Sequence, residues 1–278
     1  MTTTTATPTV ASYLDRIGAA DAQVGPDLLA RIVRGHNATI PFENLDPFTG
    51  TEPPVDGGAV AAKLVHGRRG GWCFEHNRLL HDVLDELGYR VTPLVGRVRL
   101  GLDASAAATS RTHRLTLVET DEGVFTADVG FGATTPTEPL RLEAGTVQRT
   151  AQAEYRYRRG PGDTWVLERR GSGDWADQYV FDLTPTPAID YAMGSWYLTH
   201  HPDSGFRRGL AVALSGPDRR STLSGNRLTV RGPGTVAEEH ELGSPAEVLQ
   251  ALDEVFGIDT AGVAGLAERV RRVHFTGA

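Results

Sequence analysis

The first third of the chain carries apolar residues at the three- and four-residue spacing of amphipathic helices. The pattern covers residues 13–17, 26–37 and 59–66, and then a segment that begins near Cys73. This last segment is the best marked, with apolar positions at Leu79, Leu80, Val83, Leu84 and Leu87. Gly88 follows, where glycine commonly ends a helix. The sequence therefore predicts helices as far as Gly88.

Residues 89–190 change to short runs of β-branched and aromatic residues between turn clusters. That spacing is typical of a small β-barrel or sandwich. The remaining residues, 191–278, are mixed, with strand-like segments near 210–214 and 228–230. A helix is predicted after Ser244, because Pro245 suits its first position and Glu247 completes a capping box. The chain therefore divides into three stretches.

Composition excludes several classes of protein. A chain of 278 residues can form one or two compact units with a sizeable core. Its net charge of −7 argues against general nucleic-acid binding, which normally shows a basic surface. No apolar run is long enough for a membrane span, and the N-terminus lacks the pattern of a signal peptide. We therefore expect a cytoplasmic protein without nucleic-acid or membrane partners.

A metal centre is not expected either. Cys73 is the only cysteine in the chain, which excludes an intrachain disulfide and a multi-thiolate zinc site. His76 and His81 are five residues apart, which is not the spacing that places two ligands on one helix face. Each is expected to be solvated or hydrogen-bonded.

Cys73 itself has surroundings that favour chemistry over packing. It follows Gly70 and Gly71, which allow positive φ angles and a close approach of a ligand to the backbone. It also begins the predicted helix, where free N–H groups and the helix dipole stabilise a thiolate. The sequence therefore predicts a nucleophilic thiolate. The alternative is a small buried apolar side chain.

A thiolate nucleophile usually works with a histidine base and a third group that orients the base. His113 lies on a predicted strand, on the same face as Leu115 and Leu117. Asp128 lies on the next strand, and a hairpin centred on residues 120–121 would place it directly opposite His113. A carboxylate on an apolar strand is costly unless it has a partner. This register predicts a His113–Asp128 pair.

Several segments together resemble the arylamine N-acetyltransferase family, in the same order and at similar separations over nearly the whole chain. They are residues 40–46 (IPFENLD), 69–77 (RGGWCFEHN), 112–113 (TH), 128–132 (DVGFG) and 201–206 (HPDSGF). The resemblance implies an α+β fold with a cysteine-protease-like catalytic core. It implies a helical bundle domain at 1–88, a β-barrel domain at 89–190 and an α/β lid at 191–278.

The resemblance also implies site residues. Cys73, His113 and Asp128 would form the catalytic triad. Arg69 would pair with Glu43 and, with Gly70 and Gly71, order the loop before the cysteine. Aromatic residues of the family line the acceptor pocket at three positions, which here are Phe42, Phe131 and Phe206.

The implied reaction is a ping-pong transfer of acetyl from acetyl-CoA, as co-substrate, to the nitrogen of an arylamine, arylhydrazine or hydrazide. An amide synthase that closes a macrolactam remains open, because it would use the same triad. A transglutaminase-like or papain-like cysteine hydrolase shares the order of Cys, His and Asp. An interaction module with an inert triad is the third alternative to acetyl transfer. The sequence leaves homo-oligomerisation open.

Overall fold

The computed structural model describes residues 8–21, 26–103, 105–170 and 173–275. Within these ranges the chain forms helices and two antiparallel sheets, which confirms the predicted α+β class. None of the helices in the described ranges combines the length and the apolar character that a bilayer crossing requires.

The N-terminal helices agree with the apolar pattern. They are α1 (Pro8–Arg16), α2 (Pro26–Thr39), α3 (Leu45–Thr49), α4 (Gly57–Ala61, continued by a π turn over Ala62–His66) and α5 (Cys73–Glu86). Gly88 has a φ of 88°, as expected of a residue that ends a helix. The apolar faces of α1, α2, α4 and α5 form one core with two side chains of the larger sheet, Val118 and Ala127. The helical bundle therefore packs directly on the sheet.

The larger sheet has eight strands in the order β5-β4-β3-β2-β9-β8-β7-β6 and nearly closes into a barrel. Its strands are β2 (Arg90–Val98), β3 (Arg111–Thr120), β4 (Gly123–Ala127), β5 (Leu140–Arg141), β6 (Gln148–Arg149), β7 (Glu154–Arg159), β8 (Trp165–Arg170) and β9 (Trp175–Phe181). A 3₁₀ turn, Gly132–Thr134, lies between β4 and β5. Large aromatic side chains, including Tyr155, Tyr157 and Tyr179, fill the interior.

The smaller sheet joins distant parts of the chain. Its order is β1-β10-β11-β12-β13, with β1 (Phe42–Glu43) from the helical region and β10 (Ala211–Ser215), β11 (Arg220–Ser224), β12 (Arg227–Arg231) and β13 (Glu238–Glu241) from the C-terminal region. Phe42 pairs with Ala213. The first stretch of sequence thus contributes a strand to the third, and this strand holds a predicted pocket residue against the C-terminal sheet.

The C-terminal helices are α6 (Ala188–His200), α7 (Gly205–Arg208), α8 (Pro245–Glu254) and α9 (Leu266–Val270, continued by a π turn over Arg271–Phe275). Helix α8 begins as predicted, since the Ser244 side chain accepts a hydrogen bond from the Glu247 N–H. Helix α6 runs through residue 190, where the sequence suggested a domain border. The three-domain division remains a prediction.

Candidate active site

Cys73 is the first residue of α5 and lies 5% exposed. Its thiol donates to the carbonyl of Thr112, with Sγ and O 3.5 Å apart, so strand β3 passes directly beside it. The carboxylate of Glu75 accepts a hydrogen bond from the Trp72 N–H at 3.1 Å and so stabilises the first turn of the helix. The predicted placement of the cysteine at a helix N-terminus is therefore what the structure shows.

Gly70 and Gly71 are required for a different reason from the one predicted. Neither has a positive φ angle. A Cβ on Gly70 would lie 1.8 Å from the carbonyl oxygen of Pro41, and one on Gly71 would lie 2.5 Å from Oε2 of Glu75. The two glycines therefore let the cysteine loop pack against its own protein neighbours, which fixes the position of Cys73.

His113 and Asp128 are buried together, each 2% exposed, with His113 Nε2 2.7 Å from Asp128 Oδ2. The predicted strand register that suggested this pair is wrong by two residues. Thr116 pairs with Ala127, and the turn centres on residues 121–122, so Asp128 lies just beyond the end of β4. The two side chains bridge this offset. The pair forms although the two residues are not directly opposite.

Asn77 holds the carboxylate in place and was not singled out from the sequence. Its amide nitrogen donates to Asp128 Oδ1 at 2.9 Å, and its amide oxygen accepts from the Val129 N–H at 3.1 Å. The N–H of Gly130 also donates to Asp128 Oδ1, at 3.0 Å. Asn77 lies one helical turn after Cys73, and this i, i+4 spacing is the signal that would have identified it.

The electrostatics of the pair favour a charged histidine. Burial alone would lower the pKa of His113, but the charge of Asp128 and hydrogen bonds to Asp128 and Cys73 raise it to about 10. Burial would raise the pKa of Asp128, but His113, Asn77 and the Gly130 N–H together lower it below its ordinary value. At neutral pH the site therefore holds an imidazolium beside the thiol and a carboxylate behind it.

Five charged side chains form a buried cluster beneath the cysteine loop, which we call the loop ion cluster: Glu43, Asp46, Lys63, Arg69 and Glu75. Arg69 Nε donates to Glu43 Oε1 at 2.8 Å, which is the pair that the resemblance implied. Arg69 also contacts Asp46, and Lys63 contacts both Asp46 and Glu75. Burial raises the pKa of Glu75 to about 7, even though Lys63 opposes the change.

The three predicted pocket aromatics are only half-buried, so none of them is a plain core residue. The Phe131 ring lies 4.7 Å from the His113 ring, centroid to centroid. Phe206 lies 5.4 Å from Trp72 and 6.2 Å from Phe42. The structure thus places Phe131 against the histidine, and Phe42 and Phe206 together beside the residue that precedes Cys73.

Of the two histidines of α5, His76 is engaged in hydrogen bonds, as expected, whereas Nδ1 of the half-buried His81 has no hydrogen-bond partner in the described part of the chain. His76 Nδ1 lies 2.6 Å from His36 Nε2, and His76 Nε2 lies 3.1 Å from the Pro41 carbonyl. Burial lowers the pKa of His76 to about 4. In the described part of the chain, no group of three His, Cys, Asp or Glu side chains is arranged to hold a metal ion.

Replacing Gly130 with alanine is expected to disturb the packing against Cys73 and Asn77. A Cβ there would lie 2.7 Å from the Cys73 Cα and 2.9 Å from Asn77 Nδ2. Both neighbours are buried, so the free energy of unfolding should fall by about 1–3 kcal/mol and kcat should fall with it. Denaturant unfolding and steady-state kinetics measure the two effects. Gly173→Ala is the control, because its Cβ would meet no atom within 4 Å. Equal behaviour of the two variants would contradict this packing.

Replacing Lys63 with methionine is expected to destabilise the loop ion cluster. The substitution would remove the ammonium group that pairs with Asp46 and Glu75, and the free energy of unfolding should fall by about 3 kcal/mol. The loss should be larger at pH 8 than at pH 5, because Glu75, whose raised pKa is about 7, is neutral at the lower pH. Urea unfolding at both pH values measures it. Arg78→Met, which removes an i,i+4 pair with Asp82 on the surface of α5, should cost less than about 1 kcal/mol. A pH-independent loss would contradict the charge argument.

Comparisons with known proteins show the family of this chain. A family model described as N-acetyltransferase matches residues 27–263. The arylamine N-acetyltransferase of Mycolicibacterium smegmatis is 46% identical over 260 residues, which cover 91% of this chain and 93% of that protein. That of Escherichia coli strain K12 is 40% identical over 254 residues, which cover 91% and 89%.

Solved structures give the same result. The structure of Mycobacterium marinum arylamine N-acetyltransferase matches with a TM-score of 0.92 at 40% identity, over 96% of this chain and 100% of that chain. The structure of the same protein in complex with CoA matches with a TM-score of 0.91 over the same shares. These similarities confirm the family that the sequence motifs indicated. The chain belongs to the arylamine N-acetyltransferase family of acyltransferases.

Proposed function

We propose that this protein transfers an acetyl group from acetyl-CoA to the nitrogen of an arylamine, arylhydrazine or hydrazide, through an acetyl-Cys73 intermediate. The observation that carries the proposal is the buried constellation of Cys73, His113 and Asp128, with half-buried aromatic side chains beside it. It supplies a nucleophile, an acid–base group and an orienting carboxylate in contact. The catalytic roles that follow are part of this proposal.

The first step forms the acetyl-enzyme. The Cys73 thiolate attacks the carbonyl carbon of the thioester, and a new C–S bond forms as the bond to the coenzyme sulfur breaks. His113, which is protonated at neutral pH, gives its proton to the departing sulfur. Asp128 keeps the imidazole in one orientation, because its Oδ2 accepts from His113 Nε2 and leaves Nδ1 for the reacting atoms. Free coenzyme A is the first product.

The backbone at the start of α5 suits the developing oxyanion. The first main-chain hydrogen bonds of the helix are made by the N–H groups of Glu75 and His76, which both donate to the Trp72 carbonyl. The N–H groups of Cys73 and Phe74 therefore lie before the first hydrogen bond of the helix, where N–H groups generally have no partner within the helix. We assign them to the oxyanion of the tetrahedral intermediate.

The second step transfers the acetyl group to the amine. Its nitrogen attacks the acetyl carbon, the C–S bond to Cys73 breaks, and His113 accepts the proton of the amine. Acetylation itself prepares His113 for this role. The hydrogen bond and charge of Cys73 contribute to its raised pKa, and they disappear when the sulfur is acylated. Arylamines suit the site because they are largely unprotonated at neutral pH, and aromatic side chains offer stacking contacts.

The choice of acyl donor is based on the ligand of a relative. The Mycobacterium marinum protein, which has the same fold, was solved in complex with CoA. We therefore propose acetyl-CoA as the donor here. Acetyl-CoA is a co-substrate, since each first step consumes it and releases coenzyme A.

Initial-rate kinetics test this function. The concentrations of acetyl-CoA and of an arylamine are varied together, and both N-acetylarylamine and acetate are quantified. We expect parallel double-reciprocal lines, with one N-acetylarylamine formed per coenzyme A released. Intersecting lines would contradict the acetyl-enzyme. Release of acetate alone would indicate a hydrolase, and failure of acetyl-CoA as donor would favour an amide synthase with a longer acyl chain.

A further inference from the structure

A cavity of about 200 Å³ lies between the barrel and the C-terminal sheet, away from the three proposed catalytic residues. We call it the arginine pocket and define it by six of its polar side chains: Thr134, Arg169, Arg220, Thr222, Thr229 and Arg231. They come from the 3₁₀ turn and from strands β8, β11 and β12. Four separate segments thus place donors around one space.

The charge of the arginine pocket is not balanced by the protein. No acidic side chain lines it. Within the described ranges, Arg169, Arg220 and Arg231 form no ion pair, whereas Arg170, the next residue of β8, pairs with Glu154. The guanidinium of Arg220 is buried and donates to neutral acceptors, among them the Ser215 hydroxyl at 2.9 Å and the Thr135 carbonyl at 2.8 Å. Three positive charges therefore converge without a carboxylate.

Two further observations favour an anionic ligand. Nε of Arg169 and the hydroxyl of Thr134 are buried and have no hydrogen-bond partner. Burial is the main cause that lowers the pKa of Arg220, and the charges of Arg169 and Arg231 lower it further, although Tyr155 opposes the change. Such repulsion is costly in a folded protein, and an anion in the pocket would remove it. Unpaired donors and unpaired positive charge meet at the same place.

We propose that the arginine pocket binds a phosphate group. Guanidinium groups recognise phosphate with paired N–H donors, and three of them from different strands suit a tetrahedral group with several acceptor oxygens. The threonine hydroxyls of β11 and β12 supply additional donors. The phosphate group is either free or carried by the coenzyme, and the chemistry of recognition is the same for both.

Binding there would also affect the proposed acceptor pocket. Thr134 belongs to the turn that directly follows Phe131, and its carbonyl accepts from the Tyr155 hydroxyl at 2.8 Å. In the same turn, a Cβ on Gly132 would lie 3.3 Å from the Phe42 ring. A phosphate held by Arg169, Arg231 and Thr134 would therefore stiffen the segment that carries Phe131.

The test is direct binding to the full-length protein. Inorganic phosphate is titrated at constant ionic strength, by calorimetry and by thermal unfolding, with wild type, Arg169→Gln and Arg231→Gln. The control, Arg170→Gln, removes the same charge from the opposite face of β8. We expect phosphate to bind wild type and the control equally and to bind the two pocket variants roughly tenfold or more weakly. Equal phosphate affinity in all four proteins, or none in any, would overturn the proposal.

A second series of experiments identifies the source of the phosphate. Its competition measurements need no enzymatic turnover. If the coenzyme supplies it, adenosine 3′,5′-bisphosphate will compete with inorganic phosphate. The two pocket variants will then raise KM for acetyl-CoA but not for S-acetyl-N-acetylcysteamine, a thioester without phosphates. If free phosphate is the ligand, the nucleotide will not compete and KM for acetyl-CoA will be unchanged. Both results support the pocket, and neither depends on the identity of the acceptor.

Discussion

Cys73→Ser is expected to reduce kcat/KM for acetyl transfer by at least roughly 10⁴-fold, because removal of the nucleophile of such a triad has effects of that order or more. The serine hydroxyl is not ionised at neutral pH, so it gains nothing from the neighbouring imidazolium. Steady-state rates with acetyl-CoA and an arylamine measure the loss. Far-UV circular dichroism and thermal unfolding should be unchanged, since serine keeps the shape of the side chain.

Thiol labelling provides the control for this variant. Cys73 is the only cysteine, so any labelled wild-type protein reports this one residue. Wild type should react rapidly with iodoacetamide at pH 7, and acetyl-CoA should protect it. Slow labelling without protection would contradict an activated thiolate and would favour the interaction module. Residual activity of Cys73→Ser within tenfold of wild type would exclude a cysteine nucleophile.

Asp128→Asn is expected to lower kcat/KM by roughly 10³- to 10⁴-fold, as loss of the orienting carboxylate does in comparable triads. Asp128 accepts three hydrogen bonds, from His113, Asn77 and the Gly130 N–H, and an amide cannot accept all of them. The charge of Asp128 is also the largest influence that raises the pKa of His113 against burial. Without it the histidine becomes neutral and the thiolate loses its counterion.

The pH profile separates this explanation from simple misfolding. A raised pKa in the folded state stabilises the protein below the ordinary value of 6.5, and the contribution disappears as pH rises through about 10. Because the imidazolium of His113 therefore persists beside Cys73 over this range, we expect the rate of Cys73 alkylation to be nearly constant from pH 6 to 9 in wild type. In Asp128→Asn it should rise with pH over that range. Asp121→Asn, the same change on the exposed β3–β4 turn, should match wild type. An unchanged profile in Asp128→Asn would contradict the role of this carboxylate.

The sequence was sufficient to predict where most helices and strands lie and that Cys73, His113 and Asp128 would come together. Helix α5 could be placed because the Gly70–Gly71 turn precedes it and Gly88 follows its apolar positions, which put Cys73 in its first turn. The pairing of His113 with Asp128 was predicted, but from a wrong register. Turn position could not be read from the polar run at 119–123, and side chains that reach past the end of a strand can form the same contact from a shifted register.

Apart from the catalytic group and the Arg69–Glu43 pair that the resemblance implied, contacts between distant segments could not be predicted. Lys63 and Glu75 join the loop ion cluster only because α4 and α5 pack together, and neither residue is unusual in its own helix. Gly70 and Gly71 suggested positive φ angles and a close approach of a ligand, whereas their role depends on Pro41 and Glu75, which only the fold brings close. The arginine pocket is a stronger case, since its three arginines belong to strands of two different sheets.

The central claim is a covalent acetyl group on Cys73, and intact-protein mass spectrometry tests it most directly. Wild type and Cys73→Ala are incubated briefly with acetyl-CoA, and an arylamine is then added. We expect a mass increase of one acetyl group in wild type alone, which disappears as N-acetylarylamine forms. No adduct, an adduct that persists in Cys73→Ala, or one that only water removes would contradict an acetyl-Cys73 intermediate.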